Sequence, residues 1–342
     1  MYYWDNLLNF AQLKLIKMVA FSDITYCVSD ELVKFHETFE QMLHTKIPLA
    51  DNIIRYFLDR QGKQLRPVMA ILAAKMLKGE ITDTTIYGAV ALELLHNASL
   101  MHDDVIDKSD ERRGMSTVNK VWDNKVAVLM GDFFLSKCLV ASNNTGSLDV
   151  SNILANMVIR LSEGELEQLS NVRSHLLSES AYFSVISGKT ASLFSACMKV
   201  GAITVGGAAD QIEQMGQIGE LMGLIFQIRD DIFDYYDSSE IGKPTGNDMR
   251  EGKLTLPIIY AVRHTTDEHI LDQIEQLKAG SLTDEGISEL IEFAKSNGGI
   301  EYAQQVMEDY RDKAVNLLPK DADDSILEAI TAYLDFVIGR TK

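Results

Sequence analysis

The chain has 342 residues, of which 46% are hydrophobic and 24% charged, a composition typical of a soluble globular protein with a large core. Its net charge of −18 excludes partners that need a broad basic surface, nucleic acids above all, but is compatible with small phosphorylated molecules. Its 3 cysteines lie far apart without a CxxC pattern, which is typical of a reducing compartment.

The N-terminal segment contains apolar stretches but no basic region followed by a cleavage site, so no signal peptide is predicted. Met18 offers an alternative start, and we expect residues 1–22 to form a loosely ordered extension. Residues 23–342 are expected to form one domain. No run of about 18 uninterrupted apolar residues predicts a transmembrane helix. These features predict a cytoplasmic protein.

Helical periodicity dominates the rest of the chain, and the alternation typical of strands is almost absent. Clusters of Gly, Asp, Asn and Ser, such as SNNTGSLD and KAGSLTDEG, separate the periodic segments. The predicted helices span residues 30–60, 65–78, 84–108, 120–141, 149–173, 178–203, 207–236, 253–264, 283–295 and 299–317. The pattern therefore predicts an all-α bundle in which outer helices surround a few central ones.

An acidic cluster follows an apolar stretch in HNASLMHDDVIDKSDERRG, residues 96–114. On an ideal helix Asp103 and Asp107 lie one turn apart on the same face, with Asp104 beside them. Oxygen ligands without thiol or imidazole suit hard cations, and Mg²⁺ is usually held by one or two carboxylates together with phosphate oxygens. Taken alone, however, this cluster is better explained as the solvated end of an acidic helix.

The same pattern recurs in GLIFQIRDDIFDYYD, where Asp230, Asp231 and Asp234 again end an apolar helical run. Apolar residues before and between the acids indicate that both helices pack into the core. Buried carboxylates need a metal ion or a charged partner, because desolvation penalises their ionised form. Two such helices facing each other could clamp a diphosphate through shared Mg²⁺ ions.

With both acidic motifs in place, the chain resembles the trans-isoprenyl diphosphate synthases, the polyprenyl synthetase family, from about residue 30 to the C-terminus. The resemblance is carried by GKQLRP, LLHNASLMHDDVIDKSDERRG, GDFFLS, EGELEQL, SGKTASLF, FQIRDDIFDY and GKPTGNDMREGKLTLP. It implies the isoprenoid synthase fold, a single large helical bundle around a central cavity. The pattern is most similar to long-chain members of the octaprenyl diphosphate synthase type.

The resemblance implies that the protein joins isopentenyl diphosphate to an allylic diphosphate, of the farnesyl or geranylgeranyl type, with three Mg²⁺ ions in each active site. Catalysis would be mainly electrostatic, because the difficult step separates diphosphate from an allylic cation. Lys189 would act as a catalytic cation at the leaving group. The implied metal ligands are Asp103, Asp104, Asp107, Asp230, Asp231 and Asp234.

The two diphosphates would bind at separate groups of residues. The positions that match the family's isopentenyl diphosphate site are Lys63, Arg66, His96 and Arg113. The positions that match its allylic site are Arg112, Lys189, Thr190, Gln227, Lys243 and Lys253. Without the resemblance, Lys63 and Arg66 would be interpreted as surface cations and His96 as a structural histidine. Lys189 differs, because an unpaired ammonium in the otherwise apolar VISGKTASLF would be costly.

Product length is expected to depend on the helix that precedes Asp103. In short-chain relatives, aromatic side chains at the fourth or fifth position before this aspartate close the tunnel for the growing tail. Here those positions hold Ser99 and Ala98, which are small. The tunnel floor would then lie deeper, at Leu95, Leu92 or the facing helix with Met130 and Phe134. An ideal helical wheel places Ser99 nearer the aspartate face than Ala98, so the emphasis on Ala98 comes from the resemblance.

Three other interpretations stay open beside a long-chain synthase that supplies quinone side chains. These are a short-chain farnesyl or geranylgeranyl synthase, a terpene cyclase, and a non-catalytic subunit of a heteromeric synthase. A cyclase would share the fold but usually has a different second metal motif, and non-catalytic subunits tend to lack one or both motifs. The resemblance further implies a homodimer, and release of an apolar product implies a peripheral membrane contact.

Overall fold

The structure is a computed structural model that describes residues 21–59, 62–112, 114–174, 178–236, 245–263 and 265–339. Most of the predicted N-terminal extension lies outside these residues. A helix spans Phe21–Thr25, and Ile24 within it is fully buried. The described residues are almost entirely helical, which confirms the prediction of an all-α protein.

The helices of the first half of the chain lead up to and beyond the first acidic motif. They are α1 (Phe21–Thr25), α2 (Ser29–Leu43), α3 (Pro48–Leu58), α4 (Leu65–Lys78), α5 (Asp83–Ile106), α6 (Val118–Val121), α7 (Asn124–Asn144) and α8 (Leu148–Ser174). A short antiparallel hairpin separates α5 from α6. Its strands are β1 (Glu111–Arg112) and β2 (Met115–Ser116), with Arg112 opposite Met115.

The second half contains the second acidic motif and closes the bundle. Its helices are α9 (Glu179–Ile186), α10 (Ser192–Thr204), α11 (Ala209–Phe233), α12 (Asn247–Arg250), α13 (Leu256–Val262), α14 (Glu268–Lys278), α15 (Asp284–Ser296), α16 (Gly299–Asn316) and α17 (Asp324–Gly339). Between α9 and α10 the chain forms a π-helical segment, Ser187–Ala191.

Three predicted helices are interrupted in the structure, and the one predicted at 120–141 is divided near its start between α6 and α7. The segment predicted at 30–60 divides into α2 and α3, because Pro48 occupies the first position of α3 and the preceding residue, Ile47, is extended. The segment predicted at 178–203 is divided by Ser187–Ala191. In a π turn the hydrogen bonds reach one residue further than in an α-helix, so this interruption changes the direction of the side chains that follow.

Helices α14 and α17 are present in the structure, although the sequence pattern predicted no helix in either segment. Asp267 accepts a hydrogen bond from the backbone N–H of His269 and caps the start of α14. Helix α17 buries Ile326, Ile330, Leu334 and Val337 along one face and packs against α1, α4 and α11. The C-terminal segment is therefore part of the core.

Helix α5 lies at the centre, packed by α2, α4, α7 and α10. Nearly every residue from Thr85 to Ala98 is buried, so this helix has no solvated face over that length. Helix α11 buries one face from Met215 to Ile232 and packs on α10, α16 and α17. Both central helices end in an acidic motif. A helix C-terminus carries partial negative charge, so carboxylates at these ends need cations nearby.

Candidate active site

The first acidic motif lies in the last turn of α5. Asp104 is buried, and Arg112 on β1 neutralises it, with Nε and Nη2 at 2.9 and 2.8 Å from Oδ1. Asp103 is half-buried and Asp107 is exposed beyond it. Burial and the nearby charge of Glu165 raise the pKa of Asp103 to about 6, although Lys189 opposes the shift. The hairpin thus compensates the charge of Asp104, while the carboxylates of Asp103 and Asp107 are more exposed.

The second motif lies in the last turn of α11, where Asp231 is 5% exposed. Tyr182 Oη donates a hydrogen bond to its Oδ2 at 2.6 Å, and Gln227 Nε2 donates to its Oδ1 at 2.8 Å. Thr190 Oγ1 donates to Gln227 Oε1 at 2.6 Å. Burial and the charge of Asp248 raise the pKa of Asp231 to about 8, against the effect of these hydrogen bonds. A cation or a proton is therefore needed here.

Asp234 contacts the start of helix α12. Its carboxylate accepts hydrogen bonds from the backbone N–H groups of Asn247 and Asp248, both at 3.0 Å, and so caps the short helix α12. A carboxylate has further lone pairs, so the metal-ligand role of Asp234 stays a prediction. The cap places Asp248 beside the second motif. Burial and the charge of Asp234 raise the pKa of Asp248 to about 6.

Lys189 lies between the two acidic motifs. Its ammonium is 2.7 Å from Glu165 Oε1, and its positive charge lowers the pKa of both Asp103 and Asp248. Lys253 pairs with Glu251, whose hydrogen bond and charge raise the pKa of Lys253 against the effect of burial. The charges of Asp248 and Asp107 act in the same direction, so Lys253 also lies near both motifs. The ends of α5 and α11 therefore face one common cleft.

A cavity of about 170 Å³ opens beside the second motif and Lys189, and none of its lining residues belongs to α5. Its polar lining includes Tyr182, Lys189, Thr190, Gln227, Asp231, Asp248, Lys253 and Lys278. Both positive and negative side chains line it, as a metal-bound polyanion would require. The predicted allylic-site residues Lys189, Thr190, Gln227 and Lys253 are brought together. Arg112 pairs with Asp104 instead and does not line the cavity, and Lys243 lies outside the described residues.

The predicted isopentenyl diphosphate residues lie apart from this cavity. Lys63 is exposed, with its ammonium 4.6 Å from the centre of the Phe336 ring. The Arg66 guanidinium lies 5.8 Å from the centre of the Phe194 ring, and His96 is buried. Arg113 lies outside the described residues. Their assignment to a second diphosphate site stays a prediction.

The residues predicted to set product length lie in the interior of the bundle. Ala98, Leu95 and Leu92 are all buried, and Ser99 donates a hydrogen bond from Oγ to the backbone O of His96 at 2.9 Å. Helix α7 packs along α5 and buries Met130 and Phe134. The side chains that would line and close a tunnel below Asp103 are therefore apolar or small.

Four polar residues of the site were not predicted. Tyr182 and Asp248 surround Asp231, Glu165 pairs with Lys189, and Lys278 contributes a further cation that is only 15% exposed. Asp248 could have been noticed as an acid in a loop rich in Gly and Lys. Glu165 lies within the EGELEQL motif, but its role as the partner of Lys189 was not predicted, and Tyr182 and Lys278 lie in no quoted motif.

The carboxylate donors fit a hard cation. Among the described residues, no three Asp, Glu, His or Cys side chains converge closely enough to hold a metal ion by themselves. Mg²⁺ needs no such cluster, because it keeps several waters and completes its coordination with substrate phosphates. Asp103, Asp107 and Asp231 can each supply one or two oxygens, Asp231 from a buried position and the other two from more exposed ones.

The raised pKa values lead to a prediction about the protein without metal. Asp103, Asp231 and Asp248 bind protons more tightly when folded than when unfolded, so the free energy of unfolding should fall as pH rises from about 4 to about 8. In the presence of a chelator, the thermal unfolding midpoint should be higher at pH 5.5 than at pH 8. Asp231→Asn, which cannot ionise, should reduce this difference. An identical difference in both proteins would contradict the prediction.

Comparison with known proteins identifies the family. The family profile described as polyprenyl synthetase matches residues 47–292. Octaprenyl diphosphate synthase of Haemophilus influenzae is 33% identical over 321 residues, which cover 93% of this chain and 97% of the relative. Component 2 of the heptaprenyl diphosphate synthase of Geobacillus stearothermophilus is 31% identical over 312 residues, covering 90% and 96%. The chain belongs to the polyprenyl synthetase family and is a prenyltransferase.

Solved structures agree on the fold. A decaprenyl diphosphate synthase from Rhodobacter capsulatus superposes with a TM-score of 0.87 at 31% identity, covering 94% of this chain and 100% of that one. A geranylgeranyl pyrophosphate synthase from Bacteroides thetaiotaomicron gives a TM-score of 0.80 at 41% identity, covering 93% and 99%. The predicted isoprenoid synthase fold is confirmed.

Proposed function

We propose that this protein is an all-trans polyprenyl diphosphate synthase, which condenses isopentenyl diphosphate repeatedly with an allylic diphosphate in a Mg²⁺-dependent reaction. The observation that carries the proposal is the position of Lys189, whose charge acts on Asp103 of the first motif and on Asp248 beside the second. Two acidic helix ends with a cation between them suit a diphosphate bound through metal ions.

The allylic diphosphate would bind where Lys189, Lys253 and Thr190 line the cleft. Cleavage of its C–O bond leaves negative charge on the departing diphosphate, and the two lysines stabilise that charge more than they stabilise the intact ester. Bound Mg²⁺, about three ions per site, would supply further charge compensation. Gln227 is held by Thr190 and Asp231, so its amide is fixed close to the carbon that becomes cationic.

Isopentenyl diphosphate would bind through Lys63, Arg66, His96 and Arg113, without metal, because its diphosphate remains intact. Its double bond attacks the allylic carbon, a new C–C bond forms, and the released diphosphate accepts the proton lost in the final elimination. The segment 247–253, which begins at the helix that Asp234 caps, would cover the site and exclude water, which would otherwise capture the allylic cation.

A long-chain product is supported by the relatives and by the small residues below Asp103. Octaprenyl and heptaprenyl synthases match over most of the chain, and Ala98 and Ser99 leave space beside the aspartate face. We therefore propose farnesyl or geranylgeranyl diphosphate as primer and a product suited to quinone side chains. The short-chain alternative is favoured by the geranylgeranyl pyrophosphate synthase structure at 41% identity.

A homodimer is proposed from an apolar surface on α7 and α8. Leu129 and Val140 are exposed on α7, and Leu148, Ile159 and Leu166 are exposed on α8. Spacings of 11 and 7 residues place the members of each set on one helical face. Among the described residues, α7 is also the one helix long and apolar enough to cross a membrane, and 39% of its most apolar stretch is buried. Packing on α5 and a subunit interface together account for its composition.

Two further assignments complete the proposal. We place the protein in the cytoplasm, and we expect a peripheral membrane contact only when a long apolar product leaves. Because a relative is named as one component of a heptaprenyl diphosphate synthase, the alternative of a heteromeric enzyme must also be tested.

Turnover by the purified chain tests the proposed function. The protein is incubated with farnesyl diphosphate, labelled isopentenyl diphosphate and Mg²⁺, and the dephosphorylated products are separated by chromatography. Labelled prenyl alcohols of increasing length are expected. Hydrocarbon released without incorporation of the label would indicate a cyclase, and absence of any turnover by the chain alone would indicate a subunit that needs a partner.

Separate substitutions should distinguish the two diphosphate sites. Lys63→Ala should raise the apparent KM for isopentenyl diphosphate about tenfold, because a charged contact to an intact diphosphate is lost. Lys189→Ala should act on the allylic substrate and on kcat. Lys120→Ala, which removes an exposed cation paired with Asp110, is the control and should leave both values unchanged. Equal effects of the first two variants on both substrates would contradict the assignment.

A further inference from the structure

A polar cluster outside the cleft joins three helical segments at the start of the π-helical segment. Arg160 on α8 donates hydrogen bonds from Nη2 to Ser187 Oγ at 2.9 Å and to Glu220 Oε1 on α11 at 3.1 Å. Ser187 Oγ itself donates a hydrogen bond to Glu220 Oε1. Each member therefore contacts the other two. We call Arg160, Ser187 and Glu220 the outer triad.

The segment that follows the outer triad carries Lys189 and Thr190. Its π turn is less favourable than a continuous α-helix and persists only where neighbouring contacts hold it. Helix α8 provides one such contact through its backbone: a Cβ atom on Gly164 would lie 2.8 Å from the backbone N of Lys189. A Cβ atom on Gly188 would lie 3.1 Å from the backbone O of Arg160. The two backbones therefore touch, and small shifts of α8 would move Lys189.

The helices that provide the outer triad also hold the functional side chains. Arg160 precedes Glu165, the partner of Lys189, by little more than one turn of α8. Glu220 precedes Gln227 by seven residues, so both lie on nearly the same face of α11. The outer triad thus fixes α8 and α11 to the first residue of the π segment, and Glu165 and Gln227 contact its later residues.

We propose that the outer triad is a positioning device for the allylic site, which holds the π-helical segment so that Lys189 and Thr190 point into the cleft. The inference rests on the proposed function, because it assigns these two residues to the allylic diphosphate. Arg160 is 43% and Glu220 26% exposed in their side chains, so the ion pair contributes little to folding stability. Its effect is on the geometry of the segment, in which a small displacement is enough to weaken binding of the diphosphate.

Steady-state kinetics of Arg160→Met tests this role, with farnesyl and isopentenyl diphosphate varied in turn. The apparent KM for farnesyl diphosphate should rise about tenfold, and that for isopentenyl diphosphate should stay within about twofold. Ser187→Ala should act in the same direction, and it removes one hydroxyl from a helical position that alanine tolerates well. Arg160→Lys keeps the charge but loses the forked geometry, so it should restore part of the loss.

Lys199→Met is the matched control. Lys199 on α10 pairs with Glu213 on α11 at 2.8 Å, so this variant breaks an ion pair to the same helix α11 without touching the π segment. It should leave both KM values unchanged. The proposal is overturned if Arg160→Met and Ser187→Ala retain the wild-type KM for farnesyl diphosphate, or if they raise both KM values equally.

A second measurement separates failure of this inference from failure of the proposed function. Inorganic diphosphate with Mg²⁺ should raise the thermal unfolding midpoint of the wild-type protein, and the rise should be clearly smaller in Arg160→Met and Ser187→Ala than in Lys199→Met. If the wild-type protein shows no prenyl transfer, the proposed function fails while this comparison still decides the role of the outer triad. Equal rises of the unfolding midpoint in the wild-type protein and all three variants would overturn the positioning role of the outer triad.

Discussion

Asp103→Ala and Asp230→Ala are each expected to lower kcat by about a hundredfold to a thousandfold. The expected cause is loss of a carboxylate that holds metal charge next to the departing diphosphate, where electrostatic stabilisation of the transition state is greatest. Both residues lie near the ends of helices that stay packed along most of their length, so the helical content should not change. Initial rates with saturating Mg²⁺ and both substrates, together with circular dichroism, measure the two effects.

Asp110→Ala is the control for this prediction. Asp110 follows the first motif by only three residues, but its side chain is 68% exposed and pairs with Lys120. This variant should keep the wild-type kcat. Near-normal turnover in Asp103→Ala or Asp230→Ala would show that the acidic motifs are not both needed for the reaction.

Ala98→Tyr is expected to shorten the product to farnesyl or geranylgeranyl length. The fifth residue before Asp103 lies about 7.5 Å below it along the axis of α5. Ala98 is 2% exposed, so a phenol ring there must occupy interior space beside the path of the growing chain. The metal site is left intact, and the first condensations should therefore proceed. Chromatography of the dephosphorylated products measures the change in length.

Stability must be followed in the same variant, because overpacking of a core position costs about 1–3 kcal/mol. Ala98→Ser adds only one oxygen atom and serves as the control, with an unchanged product profile expected. A long-chain profile in the folded Ala98→Tyr protein would exclude a tunnel beside this residue.

Much of the fold was predictable because the central helices are long and strongly periodic. Helices α5 and α11 begin and end within about three residues of their predicted bounds. The predicted helix bounds are wrong where a local signal such as a proline was not used, or where a tertiary contact changes the local structure. Pro48 marks the start of α3 and could have divided the predicted helix at 30–60. The π segment could not have been predicted, because it depends on backbone contact between Gly164 and residues 188–189.

The site was predictable to the extent that its residues form compact motifs. Six aspartates, Lys189 and Gln227 lie in short stretches that resemble a family, and the structure brings Lys189 and Gln227 to the cavity that Asp231 lines. Tyr182 lies in no quoted motif, so only the tertiary fold shows that it belongs, whereas Glu165 lies in EGELEQL but its pairing with Lys189 is seen only in the structure. Asp248 reaches the site through the cap made by Asp234, a contact between a helix end and a loop that periodicity does not reveal.

The central claim is that both acidic motifs bind one diphosphate through shared metal ions. Crystals grown with Mn²⁺ and inorganic diphosphate, measured at a wavelength where manganese scatters anomalously, test it most directly. Anomalous peaks are expected at Asp103 and Asp107 and at Asp231, all bridged by oxygens of one diphosphate that also contacts Lys189. Peaks at only one motif, or a diphosphate bound away from Lys189, would contradict it.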